Sequence, residues 1–189
     1  MNKLYFEGTS TDLYAVDYQY LQDSLSEEAI KISRAITGET SQPVISAGFI
    51  PTVGVADNTK VYVGHGGSTY GSILTGNGVF ADTTDTFDEI ALADSTLDAL
   101  NYIYVKYESL YATYDIATDT IVYERKAVDF GNQQLVYNRQ VDTLSIAIYT
   151  PAQYAALTAA EKLNLVYLGS VTGNGAGVAL TTADFDLAN

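Results

Sequence analysis

Two hydrophobic periods follow one another along the chain. Between residues 12 and 38, Leu21, Leu25, Ala29, Ile32 and Ile36 recur at steps of three or four, which lays one apolar stripe along a helix. Ser24 and Glu27 have the spacing of a capping box, in which each side chain satisfies the other residue's free backbone N–H. Gly38 follows the last apolar position, where glycine adopts the left-handed cap without a Cβ penalty. The pattern predicts a helix over about 24–37. A single short helix is marginal in water unless its stripe is covered. The stripe therefore packs on its own domain or on the same helix of neighbouring subunits, and in both cases its role is structural.

From Pro43 onward the signal is β. Short segments rich in β-branched and aromatic residues, at 44–50, 60–64, 73–74, 79–81, 89–92, 101–108, 120–126, 135–139, 144–149 and 165–171, are punctuated by Gly, Pro, Asn and Asp. Regular spacing of this kind predicts a mainly β fold, an antiparallel sandwich or a barrel-like domain. Within 101–107, Ile103, Val105 and Tyr107 face one way while Tyr102, Tyr104 and Lys106 face the other. A strand with large rings on both faces is often covered on its second face by another layer or a neighbouring subunit. Tyr102 and Tyr104 thus join Leu21, Leu25, Ala29, Ile32 and Ile36 as candidate interface residues.

One helical insert interrupts the strands. Thr150-Pro151-Ala152-Gln153 supplies an N-cap, a proline at the first helical position and a capping-box glutamine, and Thr158 to Glu161 repeats the capping spacing, so 151–162 reads as one helix or two. The tail is glycine-rich and then acidic, with a final short strand expected at 178–180. The organisation is an N-terminal arm and helix over 1–38 for docking or oligomerisation, followed by a β-rich domain over 39–189 that carries the insert.

Charge narrows the partners. The nine Lys and Arg are scattered against 23 Asp and Glu, for a formal net charge of −14. Nucleic-acid binding needs clustered cations that displace phosphate counterions, so that class is excluded here. No apolar run approaches the roughly 20 residues that span a bilayer, and the N-terminus has no signal-peptide pattern. The expectation is a chain without membrane insertion. The absence of cysteine excludes disulfides, thiolate metal sites and cysteine nucleophiles.

Candidate chemistry is sparse. His65, the only histidine, lies in Gly64-His65-Gly66-Gly67, a string found in esterase oxyanion loops. That chemistry also needs a Gly-x-Ser-x-Gly elbow and a catalytic histidine elsewhere, so a tight turn after strand 60–64 is the expected role. The glycine clusters at 64–71, 76–78 and 173–175 lack the Lys-Ser/Thr of a phosphate loop and read as hairpin turns. Asp82, Asp85, Asp88 and Glu89 offer hard oxygen ligands without the order of a calcium loop. No catalytic, cofactor or metal site is assigned, and the expectation is a protein that is not an enzyme. Sixteen tyrosines without a tryptophan favour contact surfaces, since tyrosine combines area, rigidity and a polar tip.

Three stretches, LYAVDYQYLQDSLSEEAIKISRAITGE (13–39), VYVGHGGSTYGSILTGNGVFA with LNYIYVKYE (61–81 and 100–108), and SIAIYTPAQYAALTAAEKLNLVYLGSV (145–171), together resemble bacteriophage tail-fibre and baseplate proteins in their N-terminal attachment portion. The resemblance implies a virion structural protein, assembled in the host cytoplasm, whose partners are other virion proteins and its own copies, with a homotrimer favoured. The chain ends at Asn189 without a long shaft or receptor-binding tip, which favours a connector or adaptor. Two alternatives stand beside it: a host-glycan-binding module of a receptor-binding apparatus, and a capsid decoration or head-fibre protein.

Overall fold

The computed structural model describes residues 44–115, 120–123, 127–129, 134–136 and 139–188, together with Leu25, Lys31 and Ile32. The protein is mainly β, and its strands pair antiparallel. One small sheet joins β1 (Val44–Ala47), β4 (Gly71–Leu74) and β5 (Phe80–Thr83); another joins β2 (Ile50–Val53), β3 (Lys60–Gly64) and β6 (Ile90–Ala91). The largest sheet is ordered β11 (Arg139–Tyr149), β7 (Leu100–Asp115), β12 (Leu165–Thr172), β13 (Phe185–Leu187), with β8 (Thr120–Tyr123) paired to the far end of β7. A separate hairpin pairs β9 (Ala127–Asp129) with β10 (Gln134–Val136). Between β11 and β12 lie two short helices, α1 (Pro151–Ala156) and α2 (Ala159–Leu163).

The core forms where one face of the large sheet meets the two small ones. Alternation along β7 sends Ile103 and Val105 inward, and the register sets Ile148 and Ile146 of β11 beside them. From the other flank come Val166, Leu168 and Val171 of β12. Val61 and Val63 of β3, Ile73 of β4 and Ala81 of β5 close the cluster from the opposite layer, all buried. A bulge between Tyr167 and Gly169 inserts Leu168 as an extra residue, so both Val166 and Val171 keep facing inward across it.

Several expected strands match closely: 60–64 is β3, 144–149 is the second half of β11, and 165–171 lies within β12. Other segments differ. The stretch 44–50 is two strands, because Gly48 (φ +69) and Phe49 (φ +61) turn the chain from one small sheet into the other. β7 runs on to Asp115, about twice the expected length, since β11 and β8 continue to pair with it. The final strand is Phe185–Leu187 instead of 178–180, and it pairs with β12. The glycine cluster 76–78 makes a hairpin between β4 and β5, closed by Gly78 N–H donating to Thr75 O at 2.8 Å. The cluster at 64–71 instead carries the chain from one small sheet to the other.

Of the expected N-terminal helix, Leu25, Lys31 and Ile32 are helical. Leu21, Ala29 and Ile36 lie outside the described residues, as does nearly all of the 1–38 arm.

Candidate functional site

The outer face of the large sheet carries a cluster of tyrosines. β7 contributes Tyr102 and Tyr104, β11 contributes Tyr149 opposite Tyr102, and β12 contributes Tyr167 opposite Tyr104. Helix α1 adds Tyr154, whose ring stacks on Tyr104 at 5.1 Å between centroids and 7° between planes. Around this pair, Tyr149 and Tyr167 tilt against Tyr104 at 6.0 and 5.4 Å, and Tyr102 meets Tyr154 and Tyr167 edge-on at 6.1 Å each. These separations and angles are those that aromatic quadrupoles favour. Burial beneath neighbouring rings pushes the Tyr104 hydroxyl well above the ordinary tyrosine range.

Helix α1 reaches this face because its ends are held. Thr150 Oγ1 accepts from Gln153 N–H at 3.2 Å, and Gln153 Oε1 accepts from Thr150 N–H at 2.9 Å. Pro151 starts the helix, and Leu157 ends it in extended backbone. Thr158 and Glu161 then repeat the reciprocal bonds and start α2. The ammonium of Lys162 lies 5.0 Å over the Tyr154 ring, a cation–π contact that ties α2 back to the cluster.

Beside the cluster a groove of about 330 Å³ opens where β12 begins. There Leu165 pairs with Lys106, and Tyr107 N–H donates to Asn164 O at 2.9 Å. Its walls include Lys106, Glu108, Tyr149, Leu157, Glu161 and Asn164. The Lys106 ammonium and the Glu108 carboxylate are 2.6 Å apart, and this bond raises the lysine above its usual range. Hydrogen bonds from Thr158 hold Glu161 below the usual carboxylate range, so it is charged at neutral pH. On the other side of β7, the Tyr107 hydroxyl and Ser109 Oγ both donate to Asp142 Oδ1, at 2.9 and 2.8 Å.

Of the expected interface residues, Tyr104 is 6% exposed and is covered by the chain's own helix. Tyr102 is half-buried and Tyr167 is 39% exposed, so an outside partner would meet the rim of the cluster and not Tyr104. Leu25 and Ile32 are each 58% exposed. Three cluster members escape a reading of β7 alone: Tyr149, Tyr154 and Tyr167. Period-two alternation in 144–149 sets Tyr149 with Ser145 and Ala147, but in 165–171 it sets Tyr167 with Leu165 and Val171, and only the bulge at Leu168 parts Tyr167 from Val171. Which strands lie side by side is likewise a long-range fact that alternation does not carry.

The remaining candidates take structural roles. His65 begins a turn, its carbonyl accepting from Ser68 N–H at 3.0 Å, and its ring stands between Phe49 and Phe87 with Nε2 2.9 Å from Asp85 O. In the acidic stretch 82–89, Glu89 clamps the β2–β3 turn by accepting from Ala56 N–H at 2.6 Å and Asp57 N–H at 2.9 Å. Among the described residues no group of three or more His, Asp or Glu converges in the manner of a metal site. No protein-family model, no curated protein and no solved structure matches the chain.

Proposed function

We propose that this protein is a bacteriophage virion structural component, a connector in the tail, baseplate or fibre attachment that works by protein–protein assembly and not by catalysis. The observation that carries this reading is the apolar pair on the N-terminal helix. Leu25 and Ile32 are helical, lie seven positions apart in the sequence, and are each 58% exposed. A seven-residue interval between branched aliphatic side chains is the repeat that seats one helix against its copies. Full burial stabilises each such side chain by about 1.5–3 kcal/mol, which the isolated chain forgoes.

A homotrimer through this helix, with the β domain contacting other virion proteins, is the proposed assembly. The rim of the tyrosine cluster, Tyr102 and Tyr167, is a second contact surface. A capsid-decoration or head-fibre protein would use the same contacts at a different place in the particle.

Native mass spectrometry and multi-angle light scattering of the full chain test the assembly. The expected result is a trimer that the double substitution Leu25→Asp, Ile32→Asp converts to monomer while the β signature in circular dichroism is kept. Immunogold labelling of particles then assigns the place in the virion. A monomeric wild-type chain that labels no particle overturns the reading.

A further inference from the structure

We infer that the groove between α1, α2 and the start of β12 is a binding site for a neutral saccharide unit. The argument starts from the donors and acceptors on its walls. An ammonium group only donates and an ionised carboxylate only accepts, and here Lys106 Nζ and Glu108 Oε1 stand 2.6 Å apart, with the Glu161 carboxylate on the same groove. A ligand that satisfies both kinds of group at such short spacing needs adjacent functions that each donate and accept. Vicinal hydroxyls on a sugar ring have that property.

Charge separates this ligand from its competitors. One lysine faces two carboxylates in the groove, and the chain as a whole carries −14. An anionic ligand meets repulsion from Glu108 and Glu161, and a cationic one displaces Lys106 from its partner. A neutral polyol pays neither penalty. Shape agrees as well: about 330 Å³ lies at the small end of the range for small-molecule sites, about 300–1,000 Å³. Tyr149 and Leu157 supply apolar wall for the C–H face of a sugar ring.

The groove is also held in advance of any ligand. Lys106 and Glu108 are fixed in the sheet by β11 and β12, and Glu161 is tied by Thr158 N–H at 2.7 Å. Preorganisation of this kind lowers the ordering cost of binding. All of these walls belong to one chain, so the site stands whatever the oligomeric state and whatever the fate of the connector reading.

The test is a glycan array probed with the full chain, with neutral hexose and N-acetylhexosamine oligomers in one arm and sialylated and uronic-acid glycans in the other. Amide chemical-shift titration with methyl glycosides of glucose, galactose, mannose and N-acetylglucosamine follows. Saturable binding to neutral glycans is expected, with shifts at the amides of Glu108, Ser109 and Asn164. Glu108→Gln and Glu161→Gln are expected to weaken it at least tenfold. Glutamine at 161 still serves the capping box, so the helix survives that change. Tyr70→Ala, on an exposed loop away from the groove, is expected to leave affinity unchanged. Binding confined to the anionic arm, binding that both glutamine variants retain, or no binding in either arm overturns the proposal.

Discussion

Phe49 occupies a backbone conformation that a bulky L-residue seldom adopts, with φ +61, yet its ring is 2% exposed in the centre of the core. Such a conformation costs on the order of 1–3 kcal/mol and persists only where the surroundings enforce it. Here Gly71 provides the space. A Cβ added at Gly71 would lie 2.5 Å from Phe49 Cζ and below 3 Å from two other ring atoms. Gly71→Ala is therefore expected to destabilise the fold by about 1–3 kcal/mol through overpacking. Combining it with Phe49→Leu relieves the clash, so the double variant should be more stable than the sum of the single losses by about 0.5–3 kcal/mol. Urea unfolding of the four proteins measures this, and strictly additive losses would reject the steric account. Asn101 shows the polar counterpart. It is fully buried, and its side chain accepts from Asp94 N–H while donating to Asp94 O and Ala99 O, so the turn entering β7 is fixed without an unpaired polar group.

At the level of elements, α1 is six residues long and buries none of them fully, too short to persist alone. Its stability is borrowed from the Thr150–Gln153 capping box and from the Tyr154 ring on Tyr104. Tyr154→Ala removes a contact worth about 0.5–1.5 kcal/mol beyond area burial, and Thr150→Ala removes a cap worth about 1 kcal/mol. Either change is expected to speed amide exchange across 151–163 while the strand amides of β7 and β12 stay protected. Uniform loss of protection over the whole sheet would mean instead that α1 is part of the core. These caps were legible in the sequence because a capping box is local, fixed by residues three apart. So was the facing of Ile103 and Val105 against Tyr102 and Tyr104, since alternation is local as well. The division of 44–50 at Phe49 was not, because a phenylalanine gives no sign of positive φ and the reason for it, Gly71, is more than twenty residues away. For the same reason the groove was not legible: Lys106, Tyr149 and Glu161 come together only through strand pairing and the docking of α2.

For the whole molecule the charge distribution decides how stability responds to pH, and the two limbs have different owners. Hydrogen bonds from Thr59, Thr96 and Thr181 hold Asp57, Asp94 and Asp184 below the usual aspartate value of 3.8. A folded value below the unfolded one contributes stability that is present above 3.8 and lost as pH falls further. These carboxylates are open to solvent on part of their surface and so are screened, and the acid limb should be shallow and should weaken with added salt. The alkaline limb rests on buried rings. Desolvation, with help from the bond to Asp142, pushes Tyr107 up from 10.0 to about 12, and burial raises Tyr104 further. A raised folded value acts in the opposite sense: the unfolded chain releases its proton first, so the contribution is whole below pH 10.0 and is lost as pH climbs towards 12. Thermal unfolding followed from pH 2 to 12 is expected to show a plateau with a steeper fall on the alkaline side. Tyr107→Phe deletes one of the titrating hydroxyls and should make that fall shallower between pH 10 and 12, with Tyr104 supplying what remains. An alkaline limb unchanged in Tyr107→Phe would show that the β7–β11 ribbon opens before its tyrosines ionise, and that the bond from Tyr107 to Asp142 does not hold it closed.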